Sequence, residues 1–433
     1  MQVIKYPEKS TWPALIHRPV QELADIGQTI EPVMQAVRKQ GDSALLYYSK
    51  LFDKVELPKI RVDSNEIDKA ENRVDPLLKS AIEKAIINIE KFHQSQLSAE
   101  SSVETSPGVR CWRKNVAIEK VGFYVPAGSA PLFSTVIMLA VPAKIAGCRQ
   151  IILCTPPGNE GNIHPAILYT AKRLEIDKIF RVGGAQAIAA MAYGTDTIPR
   201  VDKIFGPGNQ YVTAAKMYVY RQGTAVDMPA GPSEVVVVAD DSANPAFIAA
   251  DLLSQAEHGA DSQVILITDA QKLIEKVEQA VNEQLKTLPR RDIAAMALEH
   301  CRLILLNDLD EGMALVNAYA PEHLILMTAY PAQQAEQVIN AGSVFLGAYS
   351  PESAGDYASG TNHVLATNGF ARSFSGVSVE SFLKKITFQQ LTAGGLAGIA
   401  EAVERMAEAE GLVAHQRAVS IRLSTWKSAK TRK

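Results

Sequence analysis

Short apolar runs rich in β-branched residues alternate with helix-length segments through the middle of this 433-residue chain, and no other feature limits the fold as strongly. The first series is Val121–Val125, Ile151–Cys154, Ile179–Val182 and Ile204–Phe205, and the second is Val235–Ala239, Val264–Thr268, Leu303–Leu306, Leu324–Met327 and Val344–Leu346. Runs that are apolar on both faces are typical of parallel strands covered by helices. The pattern therefore predicts an α/β fold with two sheets.

Proline and glycine clusters predict where the domains meet. The sequence DMPAGPS at 227–233 separates the two series of strands. Asn244 and Pro245 are the expected N-cap and first residue of the next helix. Residues 348–376 lack periodicity, which favours a functional loop. We expect an N-terminal segment at 1–25, a helical region at 26–119 that packs on the second α/β domain, α/β domains at 120–232 and 233–375, and a C-terminal helical unit at 376–433.

Composition limits the partners and the location of the protein. A formal net charge of -3 leaves no basic field for nucleic acid or an anionic membrane. The four cysteines have no paired metal-ligand spacing, and they are too few to suggest a disulfide framework. The longest uncharged stretch, 121–143, is interrupted by prolines, so it does not predict a membrane helix. We expect a cytoplasmic protein with no nucleic-acid or membrane partner.

Small residues follow several strands of the first series. They form turns at Pro126–Ser129, Gly183-Gly184 and Gly206–Asn209, and the polar residues beside these turns are Tyr124, Gln186 and Asn209. Open α/β sheets bind ligands at the carboxyl ends of their strands, and glycine lets the backbone approach a phosphate there. These residues are candidates to bind a dinucleotide. No G-x-G-x-x-G fingerprint is present, however, and glycine also serves ordinary tight turns.

Polar residues at helix ends suggest a metal site. Gln255 and His258 are three residues apart, so their side chains share one face of a helix. Imidazole is a good zinc ligand, and the neutral amide suits an exchangeable site. Asp356 could supply an anionic ligand, and a helix break at Gly411 could bring Glu410 and His415 together. Each residue also has a structural interpretation as a cap, a turn residue or surface polarity.

Glu322 and His323 form a candidate acid–base pair directly before the predicted strand Leu324–Met327. A histidine takes up a proton near neutral pH, and a suitably placed glutamate activates water. Ordinary surface polarity is the alternative interpretation. The histidines away from such partners, namely His17, His93, His164 and His300, are expected to be capping or surface residues.

Long ordered stretches of the sequence resemble the histidinol dehydrogenase family. They are VGFYVPAGSAPLFSTVIMLAVPAKIAG (121–147), RVGGAQAIAAMAYGT (181–195), VDKIFGPGNQYV (201–212), DMPAGPSEV (227–235), DLLSQAEHG (251–259), PEHL (321–324) and GSVFLGAYSPESAGDYASGTNHVL (342–365). The resemblance extends from about residue 25 to residue 420. Ala366 departs from it, because proline is expected there, but this position carries no site residue.

The resemblance implies an enzyme that oxidises L-histidinol to L-histidine through L-histidinaldehyde, in two NAD-dependent steps that end histidine biosynthesis. It implies one zinc ion held by Gln255, His258, Asp356 and His415, with Glu322 and His323 as the catalytic pair. The implied substrate contacts are Ser233, Gln255, His258, Glu322, His323, Asp356, Glu410 and His415, and the implied NAD contacts are Tyr124, Gln186 and Asn209.

The resemblance also implies a quaternary structure. Two Rossmann-like, doubly wound domains related to aldehyde dehydrogenases would carry small helical N- and C-terminal units in an intertwined homodimer with shared active sites. In that arrangement Glu410 and His415 complete the partner's site.

Two other functional classes are weighed against this prediction. A zinc hydrolase would use Glu322 without NAD, and a non-catalytic relative would keep only the fold.

Overall fold

The computed structural model describes residues 1–18, 23–127, 130–228 and 231–431. Gly128 and Ser129 of the first predicted turn, and Pro229 and Ala230 of the predicted domain boundary, lie outside the described residues. The chain forms two compact units. Residues 1–96 and 118–382 make the first unit, and residues 97–117 and 383–433 make the second.

The strands of the described ranges are β1 (Gln2–Lys5), β2 (Ser102–Ser106), β3 (Val109–Ala117), β4 (Lys120–Tyr124), β5 (Gln150–Thr155), β6 (Lys178–Arg181), β7 (Lys203–Phe205), β8 (Ala225–Val226), β9 (Glu234–Ala239), β10 (Gln263–Thr268), β11 (Arg302–Leu305), β12 (His323–Met327), β13 (Ser343–Leu346) and β14 (Leu383–Leu391). All nine predicted strands are present, each within a few residues of its predicted bounds.

The helices of the same ranges are α1 (Trp12–Leu15), α2 (Leu23–Gln40), α3 (Asp42–Tyr48), α4 (Ser64–Ala70), α5 (Pro76–Gln94), α6 (Phe133–Ala146), α7 (Pro165–Arg173), α8 (Gly184–Tyr193), α9 (Gln210–Tyr220), α10 (Pro245–Ala256), α11 (Gln271–Leu285), α12 (Arg291–Leu298), α13 (Leu309–Tyr319), α14 (Pro331–Ala335), α15 (Glu352–Tyr357), α16 (Ala393–Ala409) and α17 (Val413–Thr431). Asn244 caps α10 by accepting from the Ala246 N–H, and Pro245 is its first residue, as predicted. Among these helices, none combines the length and apolar character needed to cross a bilayer.

The first parallel sheet has the strand order β6-β5-β4-β7-β8. From β4 the chain builds outward to β6 and then returns to the other side of β4. Alternate side chains of β4 enter two different hydrophobic cores. Val121 and Phe123 face one helical layer, and Tyr124 faces the other. The reversal of strand order between β4 and β7 opens a crevice at their carboxyl ends, which is where open α/β sheets bind ligands.

The helices before β4 pack on this first sheet. Helix α2 contacts α8 and α9, while α4 and α5 contact α7 and α6. The sequence prediction places residues 26–119 on the second α/β domain, whereas these helices pack mainly on the first sheet; α5 also contacts the loop after α15, where Asn88 donates to the Ala358 carbonyl at 2.7 Å. The amphipathic pattern of these helices shows that one face is buried, but it does not identify the surface that buries it.

The second parallel sheet has the order β1-β11-β10-β9-β12-β13. Its central strands β9 and β10 are buried at every position, as their continuous apolar runs predict. Strand β1 was not predicted. It is short and largely exposed, and it joins the sheet edge beside β11 in parallel register from Gln2 opposite Arg302 to Lys5 opposite Leu305. The α/β fold class with two doubly wound sheets is confirmed.

The second unit contains an antiparallel sheet of order β14-β3-β2 and the helices α16 and α17. Residues 383–391 were predicted to be helical, but they form β14 and pair with Val109–Ala117. Its Ile386, Thr387 and Phe388 favour a strand, and Phe388 stacks on Trp112 with ring centroids 5.4 Å apart. Gly411 has a φ of 74° between α16 and α17, so the predicted helix break is present.

Candidate active site

A cleft of about 960 Å³ lies in the first unit. One wall is the carboxyl edge of the first sheet, represented by Tyr124, Gln186 and Asn209. The other wall includes Ser233, which directly precedes β9, and His258, which follows α10. The carboxyl edge of one sheet therefore faces residues at the amino edge of the other across a single cavity.

The three residues predicted to contact a dinucleotide all line this cleft. The Tyr124 hydroxyl accepts from the Gly184 N–H at 3.2 Å, and burial raises the pKa of Tyr124 to about 12. The Asn209 carboxamide caps α9 by accepting from the N–H groups of Tyr211 and Val212, each at 3.1 Å. Gln186 is buried in the first turn of α8. The structure thus brings these three residues together at one edge.

The turn after β7 is fixed from both sides. Gly206 has a φ of 130°, and a Cβ atom there would lie 2.0 Å from the Tyr124 carbonyl oxygen. Buried Lys216 donates to the carbonyls of Gly206 and Met228, each at 3.1 Å, and forms an ion pair with Asp227. Asp227 in turn accepts from the Gly206 N–H at 2.7 Å. These contacts join the turn to the segment that leads to the second sheet.

Glu322 and His323 are buried at the amino end of β12, with exposed fractions of 7% and 3%. The backbone of Glu234 holds both residues. Its N–H donates to Glu322 Oε2 at 2.9 Å, and its carbonyl lies 3.2 Å from His323 Nδ1. His323 Nε2 lies 3.5 Å from Asp356 Oδ1. Ordinary surface polarity does not explain a pair that is buried and held in this way.

The surroundings of this pair shift its proton affinities. Burial opposes a positive charge on His323, but the carboxylates of Glu322 and Asp356 outweigh it and raise the pKa of the ring well above its usual value. Burial also raises the pKa of Glu322. A buried carboxylate and an imidazole with perturbed pKa values beside a cleft are typical of acid–base catalysis.

Three of the four residues predicted to hold zinc surround His323. Gln255, which is fully buried in the last turn of α10, places Nε2 2.9 Å from His323 Nδ1. His258 Nδ1 lies 3.2 Å from Ser233 Oγ, and burial lowers the pKa of its ring. Burial opposes ionisation of Asp356, but the rings of His323, His363 and His258 lower its pKa. The set therefore combines a neutral imidazole, an amide and a carboxylate.

The donor atoms of these residues fit a divalent ion. Gln255 Oε1 and Asp356 Oδ1, which belong to two of the predicted ligands, are buried and have no hydrogen-bond partner in the described chain. Such atoms are costly unless a ligand, water or ion pairs with them. Within the described ranges, no three His, Cys, Asp or Glu side chains form a metal-binding group. This result is expected, because only two of the predicted ligands in the first unit, His258 and Asp356, are of these four residue types. The third, Gln255, offers an amide.

Glu410 and His415 belong to the second unit, whereas the site residues described above belong to the first. Glu410 ends α16 and His415 lies in the first turn of α17, and both are exposed. The Gly411 break separates the two helices. Both residues are therefore available on the surface of their own unit.

Sequence reasoning missed several residues around the pair. Arg18 donates to both oxygens of Glu234, at 2.5 and 2.9 Å, and its guanidinium lies 3.9 Å from the centroid of the Tyr319 ring. Buried Glu352 accepts from Ser254 Oγ at 2.6 Å, and burial raises its pKa to about 8. The uninterrupted apolar run after Glu234 was the one available signal, because it implied that this carboxylate enters a buried strand.

Two of the predicted surface or capping histidines differ in environment. His164 caps α7 by accepting from the Ala166 N–H at 3.2 Å, as predicted. His93 is fully buried, which is contrary to prediction. Its Nδ1 lies 2.9 Å from the Ile89 carbonyl, and its Nε2 lies 3.3 Å from the Asn362 amide nitrogen. Neutral imidazole satisfies both contacts, so burial carries no unpaired polar atom there.

Two doubly wound sheets, with a buried carboxylate–imidazole pair beside their shared cleft, are typical of an α/β enzyme. The chain belongs to the histidinol dehydrogenase family, whose model matches residues 16–423.

Relatives and a solved structure agree with this family over the whole chain. A histidinol dehydrogenase from Bacteroides thetaiotaomicron is 59% identical over 427 residues, which cover 99% of this chain and 100% of the relative. One from Vibrio parahaemolyticus is 52% identical over 413 residues, which cover 95% of each chain. The crystal structure of histidinol dehydrogenase from Elizabethkingia anophelis matches with a TM-score of 0.95 and 54% identity, and the match covers 99% of both chains.

Proposed function

We propose that this protein oxidises L-histidinol to L-histidine through L-histidinaldehyde, with NAD as the oxidant in two successive hydride transfers. The observation that carries the proposal is the buried pair of Glu322 and His323 beside Gln255, His258 and Asp356; Gln255 Oε1 and Asp356 Oδ1 have no hydrogen-bond partner among the described residues. Membership of the family supplies the substrate. The reaction would complete histidine biosynthesis.

His323, in its neutral form, would take the alcohol proton in the first oxidation. Its Nε2 is the nitrogen available for this step, because Nδ1 faces Glu234 and Gln255 while Nε2 has no hydrogen-bond partner in the described chain. The C–H bond of the alcohol carbon then breaks, and its electron pair leaves as hydride. A general base of this kind contributes a rate factor of about 10² to 10⁴.

Glu322 would activate the water that attacks the aldehyde. The Glu234 N–H fixes Oε2, which leaves Oε1 to take a proton from water. Burial raises the pKa of Glu322, so its carboxylate is a stronger base than an exposed one. Once His323 has released its first proton to solvent, the hydrated aldehyde would give up a proton to His323 as the second hydride passes to a second NAD. A buried site also protects the aldehyde from side reactions.

Gln255, His258, Asp356 and the partner subunit's His415 would hold one zinc ion. When bound, the ion would orient the substrate through its imidazole and amino groups. Ser233, Glu410 and the ligand residues would contact the substrate, and Ser233 Oγ already lies 3.2 Å from His258 Nδ1. Fixing the alcohol carbon beside His323 supplies the orientation that hydride transfer needs.

Tyr124, Gln186 and Asn209 would hold the dinucleotide at the carboxyl edge of the first sheet. NAD, when bound, accepts the hydride. The 960 Å³ cleft runs from these residues to Ser233 and His258, so one cavity serves both reactants. Its size is ample for a dinucleotide and a small amino alcohol.

The test follows absorbance at 340 nm with L-histidinol and NAD, with and without a chelator. We expect two NADH for each histidinol, loss of the reaction on chelation, and recovery with zinc. One NADH for each histidinol would exclude the second oxidation. Hydrolytic turnover without NAD reduction would instead support a zinc hydrolase.

A further inference from the structure

One end of the cleft is built by the helical layer that packs on the first sheet. Its lining residues are Thr29, Ile30, Val33, Phe52 and Asp53. Ile30 and Val33 share a hydrophobic cluster with Tyr124, so this end adjoins the candidate dinucleotide residues. None of these five side chains takes part in the chemistry proposed above. The question is which part of a bound molecule they contact.

Asp53 is the anionic group at this end. It is the last residue of a π-helical turn, Ser49–Asp53, and its Oδ2 is buried with no hydrogen-bond partner in the described chain. The neighbouring Phe52 lines the same cavity, is 54% exposed, and stacks on Tyr48 with ring centroids 5.3 Å apart. A flat apolar surface beside an unpaired acceptor suits a base joined to a sugar with hydroxyl groups.

The chemistry of the site determines which half of the dinucleotide lies here. The nicotinamide ring must reach the substrate carbon near His323, so it occupies the part of the cleft lined by Ser233 and His258. The adenosine half then extends toward the opposite wall. That wall belongs to the helical layer of the first sheet, where Phe52 and Asp53 lie.

The part of the cleft wall around Asp53 has no described Lys or Arg among its lining residues. Among the described residues that line the cleft, Arg290 is the only Lys or Arg, and it belongs to the second α/β half. Lys50 pairs with Glu56 at 3.3 Å on the surface, and the exposed Lys54 does not line the cleft. A phosphate group beside Asp53 would therefore meet a carboxylate with no cation from the cavity wall to offset it.

We propose that the Asp53 carboxylate accepts hydrogen bonds from the adenosine ribose hydroxyls and so selects NAD over NADP. This inference rests on the proposed function, because it requires a dinucleotide in the cleft. An acidic residue plays the same part on the ribose 2′-hydroxyl in other dinucleotide folds. A 2′-phosphate would remove the donor and bring two negative charges together.

The test measures calorimetric binding of ADP-ribose and 2′-phospho-ADP-ribose to the full-length protein at pH 8. Burial raises the pKa of Asp53 to about 6, so its carboxylate is ionised at that pH. We expect wild type to prefer ADP-ribose by about tenfold or more, since a like-charge contact near a protein surface opposes binding by at least that factor. Asp53→Asn and Asp53→Ser should reduce the preference to about threefold or less.

The control is Glu56→Gln, which removes the same charge from a side chain that is 82% exposed. It should leave the preference unchanged, which separates a local contact from a general change in net charge. NADH and NADPH fluorescence titrations should give the same order of affinities.

Three outcomes overturn the proposal. If wild type binds both probes equally, or if both Asp53 variants keep the wild-type preference, Asp53 does not select the cofactor, while ADP-ribose binding still supports the proposed function. If neither probe binds wild type, the dinucleotide site itself is wrong and the proposed function fails with it.

Discussion

His323 Nδ1 lies close to groups of opposite hydrogen-bonding character. The Gln255 amide nitrogen at 2.9 Å can only donate, whereas the Glu234 carbonyl at 3.2 Å can only accept. The first contact requires a lone pair on Nδ1 and the second requires a proton, so the two cannot both be hydrogen bonds in one protonation state. Gaining or losing the Nδ1 proton therefore exchanges one partner for the other.

His323→Asn should lower turnover with L-histidinol by about 10² to 10⁴, because the variant loses the proposed general base. Its zinc content should equal that of wild type, since His323 is not among the proposed ligands. Metal analysis and steady-state kinetics on the same preparation provide the measurement. Full activity in the variant would remove His323 from the base role.

His93 should make the stability of the fold depend on pH. Burial lowers its pKa in the folded protein. As pH falls below about 6.5, the unfolded chain binds a proton that the folded chain does not, so stability is lost as pH falls toward the lowered folded pKa. Denaturant unfolding between pH 7 and pH 5 should therefore show a smaller loss for His93→Gln than for wild type, by up to about 1.4 kcal/mol per pH unit.

The exposed His300 offers a matched control for this experiment. His300→Gln should keep the wild-type pH dependence. If His93→Gln also keeps it, the buried imidazole is not the group responsible.

Prediction from sequence at this scale depended on local context. Gln255, His258, Glu322 and His323 stand at the ends of predictable helices and strands, so their role could be suspected. The ion pair between Arg18 and Glu234 joins residues 216 positions apart, and no local pattern connects them. Partners so distant in sequence become neighbours only through the register of the second sheet.

At the scale of elements, the turn after β7 depends on one glycine. Gly206→Ala should destabilise the protein and weaken NADH binding, because the new Cβ atom would lie 2.0 Å from the Tyr124 carbonyl oxygen at a φ of 130°. Thermal unfolding and fluorescence titration measure the two effects.

Gly223 provides the comparison for that substitution. It also has a positive φ, 95°, but nothing lies within 4 Å of an added Cβ atom. Gly223→Ala should therefore cost only the backbone strain, about 1 to 2 kcal/mol, and leave NADH binding unchanged. Equal losses in both variants would contradict the close approach of Gly206 to the Tyr124 carbonyl oxygen.

The predicted and unpredicted elements differ in how their sequences encode burial. The central strands β9 and β10 are buried on both faces, so their apolar runs identify them. Strands β1 and β14 are mostly exposed and contain several lysines, glutamines and other polar residues. Their strand conformation depends on pairing with β11 and β3, which lie hundreds of residues away in the chain.

At the scale of the whole molecule, the proposed zinc ligands are divided between the two units. Gln255, His258 and Asp356 belong to the first unit, and His415 belongs to the second. The fold class of both sheets followed from sequence. The assignment of a shared site followed from resemblance alone, because no spacing rule connects these four positions.

Mixing two inactive variants tests the shared site. His258→Asn and His415→Asn should each lose zinc and activity, whereas a mixed dimer should regain one intact site and up to about half of the activity per mixed dimer, with one metal ion bound. Activity and zinc content after refolding the mixture measure the effect. No recovery, together with normal dimer formation, would argue for sites contained in one chain.

Because the two sheets present opposite edges to the cleft, the helix dipoles create an electrostatic field along it. Helices α8 and α9 begin at the carboxyl edge of the first sheet and present the positive ends of their dipoles there, whereas α10 ends beside Gln255 and presents its negative end. These dipoles favour one orientation of a dinucleotide, with its pyrophosphate at the starts of α8 and α9 and its cationic nicotinamide ring at the end of α10. They oppose the reverse orientation. We expect this field to orient the proposed dinucleotide before any side chain contacts it.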